Sequence, residues 1–143
     1  MRAAIYDLLS NDSTLMGVLT GGLYDAADVE GGEISRQGTP DAFDDNGEVL
    51  PCALLRLTGL APAGPSWHSA RLSFSLLFYQ RSGYDSIDAA RARAYALLHK
   101  ERVSPGSGGC WEIDHSDDVM DVRDEALRCS LAISRYVAMV RRG

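Results

Sequence analysis

Residues 68–100 read HSARLSFSLLFYQRSGYDSIDAARARAYALLHK, and this stretch decides the fold. Ala70, Leu72, Phe74, Leu76 and Phe78 alternate with Arg71, Ser73, Ser75 and Leu77, the period of two that a half-buried strand imposes. The alternation predicts the central strand of an antiparallel sheet. Ser82 and Gly83 break the pattern after Arg81, and Asp85 is placed to cap a helix, with Asp88 near its positive end. Ile87, Ala90, Ala94, Leu97 and Leu98 then recur at helical spacing and form one apolar stripe. The opposite face holds Asp88, Arg91, Tyr95, His99 and Arg102. Burial of each large apolar side chain is worth roughly 1.5–3 kcal/mol, so strand and helix together offset much of the chain entropy lost on folding.

Upstream, residues 2–9 suit a short helix with Ala4, Ile5, Leu8 and Leu9 inward. Asn11-Asp12-Ser13 interrupt or recap it, and Leu15, Val18 and Leu19 carry its apolar face to a stop at Gly21-Gly22. Leu23 and Tyr24 form a short extended piece. Residues 25–48 are acidic and glycine-rich, with turn signals at Pro40 and Asn46-Gly47. Such long irregular segments are usually disordered or held by a ligand or partner. Phe43, beside Ala42 and Pro40, is a lone aromatic that needs a surface, on a partner or on its own core. Leu50–Leu60 is the next strand, with Ala53, Leu55 and Leu57 on one face and Cys52, Leu54 and Arg56 on the other. A connection containing Pro62, Gly64 and Pro65 follows, and Trp67 is expected as a lid over the core.

Downstream, the helix is expected to end near Arg102, and Ser104–Gly109 reads as an exposed, flexible tip. Cys110–Ile113 and Met120–Arg123 are expected as short strands, with turns at Asp114–Asp118 and Asp124-Glu125. Ala126–Val140 predicts a second central strand, with Leu127, Cys129, Leu131 and Ile133 on one face. Ser73, Ser75, Ser130, Ala132 and Ser134 are small residues, expected on outer faces where another layer or subunit would come close. Arg141-Arg142-Gly143 is a short basic tail. The fold class predicted is α+β: an antiparallel β-sheet of about four main strands with two helices packed on one face, in a single domain over residues 1–143.

A chain of 143 residues with 45% hydrophobic and 24% charged side chains is ordinary for one globular domain. No apolar run approaches the roughly 20 residues of a membrane span, and Met1–Leu9 lacks the apolar segment of a signal peptide. A soluble, non-secreted protein with no membrane partner is expected. Cys52, Cys110 and Cys129 are odd in number and without metal-type spacing, so reduced thiols are expected, two of them as small core residues. The net charge of −6 argues against a general nucleic-acid binder. Charge is unevenly spread: residues 1–50 hold ten acidic and two basic side chains, residues 51–109 three and seven. Uneven charge is ordinary solvated surface, or an acidic patch that meets a basic patch on a neighbouring copy.

Convergent chemistry is weak. Cys110 with His115 and Asp117 or Asp118 can be drawn as a thiol and its base, yet nothing in the sequence orients the histidine. Asp114, His115, Asp117 and Asp118 lack the spacing of a calcium loop and the ligand types of zinc. Gly106, Gly108 and Gly109 have no Lys-Ser/Thr behind them to make a phosphate cradle. The sequence therefore predicts no catalytic residue, no metal and no cofactor.

The small-residue faces, divided charge and unanchored loop instead point to an assembling subunit. Gly21-Gly22-Leu23-Tyr24-Asp25 after a leading helix, Pro40 with Phe43 and Gly47, Leu50-Pro51-Cys52-Ala53 opening a strand, and Gly83-Tyr84-Asp85 starting a helix that finishes Leu97-Leu98-His99 resemble the tail terminator (tail completion) proteins of long-tailed bacteriophages. The resemblance spans nearly the whole chain. It implies a small α+β subunit that associates, usually as a hexameric ring, on the head-proximal end of the tail tube. That homo-oligomer would end tube polymerisation by contact with the major tail tube protein and would meet a neck, connector or head-closure protein. Genomic DNA would pass through its lumen without specific binding, which an acidic subunit suits. The implied location is the tail-neck junction of the virion, and the host cytoplasm during assembly. The residues expected in subunit contacts are Tyr24, Phe43, Arg91, Arg93, Tyr95 and Tyr136. The rival readings are another neck component and a small phage enzyme dependent on Cys110 and His115.

Overall fold

A computed structural model of the chain describes residues 1–62, 69–106 and 109–141, of Arg141 the backbone only. The expected Trp67 lid, part of the glycine-rich tip and the end of the basic tail lie outside the described residues. The elements run α1 (Arg2–Ser10), α2 (Ser13–Val18), β1 (Gly22–Asp25), β2 (Cys52–Pro62), β3 (Ala70–Gln80), α3 (Asp85–Leu98), β4 (Arg102–Val103), β5 (Cys110–Asp124) and β6 (Cys129–Arg141). Short 3-10 turns at Glu30–Gly32 and Pro40–Ala42 interrupt the segment between β1 and β2.

The six strands make one sheet in the order β1-β2-β3-β6-β5-β4. β1 runs parallel to β2, pairing Gly22 with Cys52, and every other neighbour is antiparallel. This corrects the four-stranded antiparallel sheet with two helices: the sheet is six-stranded and mixed, curls into a half-barrel and carries three short helices. The reasons are local. Leu23-Tyr24 becomes a true strand because residues 26–51 cross the sheet and return, so that Cys52 starts beside Gly22 in the same direction. The acidic run Asp114–Asp118, expected as a turn, is extended inside one 15-residue strand. Pairing with the apolar β6 overrides the weak strand propensity of aspartate, and register shifts at His115/Asp117 and Val119/Val122 absorb the misfit. The leading helix splits in two because Asp12 caps a new one, its carboxylate accepting from the Leu15 N–H at 2.8 Å.

Alternation along β2, β3 and β6 sorts their side chains to two interiors. Ala53, Leu55, Leu72, Phe74, Leu76, Phe78, Ala132, Tyr136 and Ala138 pack with Ile5, Leu9, Leu15, Ile87, Ala90, Ala94 and Leu98 from the three helices and with Leu19 at the end of α2. On the other side Cys52, Leu54, Leu77, Tyr79, Cys129 and Leu131 pack under Ile34, Ala42 and Val49. The second interior corrects the irregular segment: it is not left for a partner to order but lies on its own sheet. Its few apolar residues are spaced to cover that face, and its polar groups bond locally. Ser35 and Thr39 close one turn, Asp44 accepts from the Asn46 and Glu48 N–H groups, and Arg56 reaches the Gly32 carbonyl at 2.9 Å. The small side chains of β6 are also reassigned. Ala132 packs in the helix-side interior and Ser134 is fully buried, so the layer that comes close there is the protein's own.

The start of α3 is set from outside the helix. The buried Gln80, last in β3, accepts through its carbonyl oxygen from the N–H groups of Ser86 and Ile87 and donates through its amide nitrogen to Asp85. Asp85, expected as the cap, is the first helical residue, and the preceding Tyr84 makes no side-chain cap. Tyr84 instead donates to the Val122 carbonyl at 2.9 Å, tying the helix entry to β5.

Candidate interaction surface

The polar side of α3 faces the middle of β5 and β6, where three of the six expected contact residues meet. Arg91, Tyr95 and Tyr136 line a cavity of about 240 Å³ with Ala92, His115 and Asp118. Arg91 donates to Asp118 at 2.8 Å and to Asp88 at 3.2 Å. The other oxygen of Asp118 meets His115 Nε2 at 3.0 Å. Burial pushes the Asp118 carboxyl up, but His115, Ser134 and Arg91 outweigh it and hold the group below its ordinary value. The His115 backbone N–H donates to His99 Nδ1 at 3.0 Å, which puts the proton of a neutral His99 on Nε2.

Aromatic rings continue the cluster. Tyr95 stacks on His99 with centroids 4.7 Å apart and meets His115 edge-on at 5.3 Å. His115 in turn meets Tyr136 edge-on at 5.2 Å, and Tyr136 stacks on Phe74 at 5.4 Å. The chain Tyr95–His115–Tyr136–Phe74 therefore runs from solvent to core: Tyr95 is 44% exposed and Tyr136 is 1% exposed. Tyr136 forms the floor of this surface and Tyr95 its outward ring.

The other three expected contact residues lie elsewhere. Arg93 grips Asp12 with two nitrogens at 2.7 and 2.9 Å and so clamps α3 to the start of α2. That bond, with the Leu15 N–H, holds the Asp12 carboxyl down to about 2. Tyr24 and Phe43 pack beside the second interior. The Tyr24 hydroxyl donates to the Gly21 carbonyl at 2.7 Å. Phe43 is half-buried, bridges Val49 and lies 5.2 Å beneath the Arg36 guanidinium.

Sequence reasoning missed the partners that Asp118 and Asp12 find on α3, Arg91 and Arg93. The His115–Asp118 interval of three was visible but was read as a solvated turn. Arg93 and Asp12 are 81 positions apart, and no local pattern couples them. Cys110 and His115 cannot act as thiol and base. They lie five positions apart on one strand, roughly 17 Å, and His115 faces Tyr136 on the helix side while Cys110 has the opposite parity. Among the described residues no group of three or more His, Cys, Asp or Glu side chains is arranged to hold a metal.

No protein-family model and no curated protein matches the chain. Among solved structures, the fold matches a chain in the virion of a native gene transfer agent (GTA) particle, with a TM-score of 0.67 and 15% sequence identity. The match covers 98% of this chain and 93% of the other. At that identity the two share a fold.

Proposed function

We propose that this protein is a structural subunit of a phage or phage-like virion, and within that class a tail terminator: a ring, of six copies, that caps the head-proximal end of the tail tube. The reading rests above all on the extent of the fold match, which runs almost end to end in both chains with a component of a virion particle. The turn and cap residues that resemble tail terminators add to it, and so do a few exposed apolar side chains. Leu60, Tyr95, Met120 and Met139 are large apolar side chains between 37% and 69% exposed. Of the six residues expected at subunit contacts, Tyr95 offers its ring to a neighbour, while Arg91 and Tyr136 hold that ring in place from beneath. Arg93, Tyr24 and Phe43 act by fixing the helices and the loop that border the contact.

Function in this reading is shape complementarity: one face of the ring fits the last tube ring and the other fits the neck, with no bond made or broken. The test is assembly. The purified chain is expected to form a closed ring by light scattering and electron microscopy, and Tyr95→Asp to shift it towards monomer without lowering its melting temperature. Cross-linking in intact particles is expected to join it to the major tube protein. Contact with the portal side alone would make it a different neck component, and a monomer at every concentration would remove the subunit reading altogether.

A further inference from the structure

A cavity of about 590 Å³ lies on the loop side of the sheet, away from the Tyr95 cluster. Its lining brings together Arg36 from the β1–β2 segment, Arg81 just after β3, and Arg123 at the end of β5 with Arg128 in the turn that follows, with Glu48 as its single carboxylate. Those four guanidinium groups come from three separate parts of a chain whose net charge is −6. Their own partners are few. Arg81 pairs with Glu48 at 2.7 Å and Arg36 donates to the Gly47 carbonyl at 2.7 Å. Arg123 is 3.8 Å from Glu125, at the loose limit of an ion pair, and Arg128 makes no ion pair among the described residues. Arg81 and Arg123 are more than half exposed, so these pairs are weak and exchangeable.

We propose that this cleft is a binding site for an acidic polypeptide segment, namely the turn from Asp28 to Glu33 of a second copy of the chain. A cleft of this size exceeds what one small anion fills, and spaced guanidinium forks suit several carboxylates held on one backbone. The chain itself carries the complement. Asp28, Glu30 and Glu33 are exposed around the 3-10 turn at Glu30–Gly32, and none makes an ion pair among the described residues. A basic cleft and an acidic turn on one protomer make copies self-complementary, the cleft of one taking the turn of another. The site thus rests on the subunit reading and specifies how neighbours orient.

Two experiments decide it. A labelled peptide of residues 25–35 is expected to bind the full-length protein saturably. Binding should weaken roughly tenfold or more when salt rises from about 50 to 300 mM, or on the double substitution Arg123→Glu, Arg128→Glu. No saturable binding, indifference to the substitutions, or equal displacement by inorganic phosphate at the peptide's own concentration would overturn the site. In the second, Arg123→Glu, Arg128→Glu and, separately, Glu30→Arg, Glu33→Arg are each expected to lose self-assembly while keeping the parent circular dichroism melt. Mixed one to one they should co-assemble, because each acidic element then meets a basic one. Assembly of either variant alone to the parent's extent would sink the cleft and leave the ring standing. A parent chain that never assembles would remove the ring, and the peptide titration would still decide the cleft.

Discussion

At the scale of single residues, the most informative contact is the one that joins helices far apart in sequence. Asp12 is ionised in the folded chain down to about pH 2, held there by the two-nitrogen grip of Arg93 and by the Leu15 N–H. In the unfolded chain it takes up a proton near the ordinary 3.8. A depressed folded value means that the contribution is complete above the unfolded value and fades as pH falls towards the folded one. Asp12→Asn is therefore expected to be less stable than the parent at pH 7, with the gap in urea midpoint narrowing between about pH 4 and pH 2; a gap constant over that window would refute the assignment. The thiols give a second check. Burial pushes Cys52 up to about 12 and Cys129 up to about 11, and both are fully buried, whereas Cys110 is partly exposed. Since the thiolate is the reactive form, native protein treated with iodoacetamide at pH 8 should take one label, at Cys110, and denatured protein three. Rapid labelling at Cys52 would contradict the second interior. Cys52 and Cys129 as core residues were readable from the apolar runs around them. The partner of Arg93 was not, because nothing in a linear pattern encodes a contact across 81 positions.

At the scale of elements, periodicity served where one side chain in two or in three to four meets an apolar neighbour. β3, α3 and β6 are legible for that reason: their inward residues are Leu, Phe, Ile and Ala at regular spacing. Two elements were opaque for opposite reasons. β5 owes its extension to β6 rather than to its own residues, so Asp114, His115, Asp117 and Asp118 sit in a strand against their propensity. The segment between β1 and β2 has no period at all, yet Ile34, Ala42 and Val49 each drop a side chain onto the sheet. Gln80, which caps α3 from the neighbouring strand, belongs to the same class of unreadable contacts. The loop's dependence on its anchors can be measured. Ile34→Ala, at a position 4% exposed, is expected to cost about 2–4 kcal/mol and to raise proteolytic cleavage within residues 26–48. Equal protease resistance in parent and variant would mean that the loop is held by its polar turns alone.

At the scale of the whole molecule, two interiors on one sheet leave little apolar surface for a partner beyond single side chains such as Leu60 and Tyr95. In the proposed ring, contact between copies would therefore draw on charge as well as area. The outer side of β5 bears on the same point. β4 pairs with β5 only at Trp111 and Glu112, so from Ser116 to Asp121 β5 has no strand neighbour on that side among the described residues. Asp117, Asp118 and Asp121 occupy this margin, two bulges warp it, and Asp121 adopts a φ of 56° that a stacking strand cannot copy. Replacing Asp117 with threonine and Asp121 with glycine should leave the monomer folded but let concentrated protein gather into thioflavin-positive fibrils, while the parent stays clear. An aspartate-lined, warped margin of this kind guards a crowded pool of identical chains against runaway stacking, edge on edge.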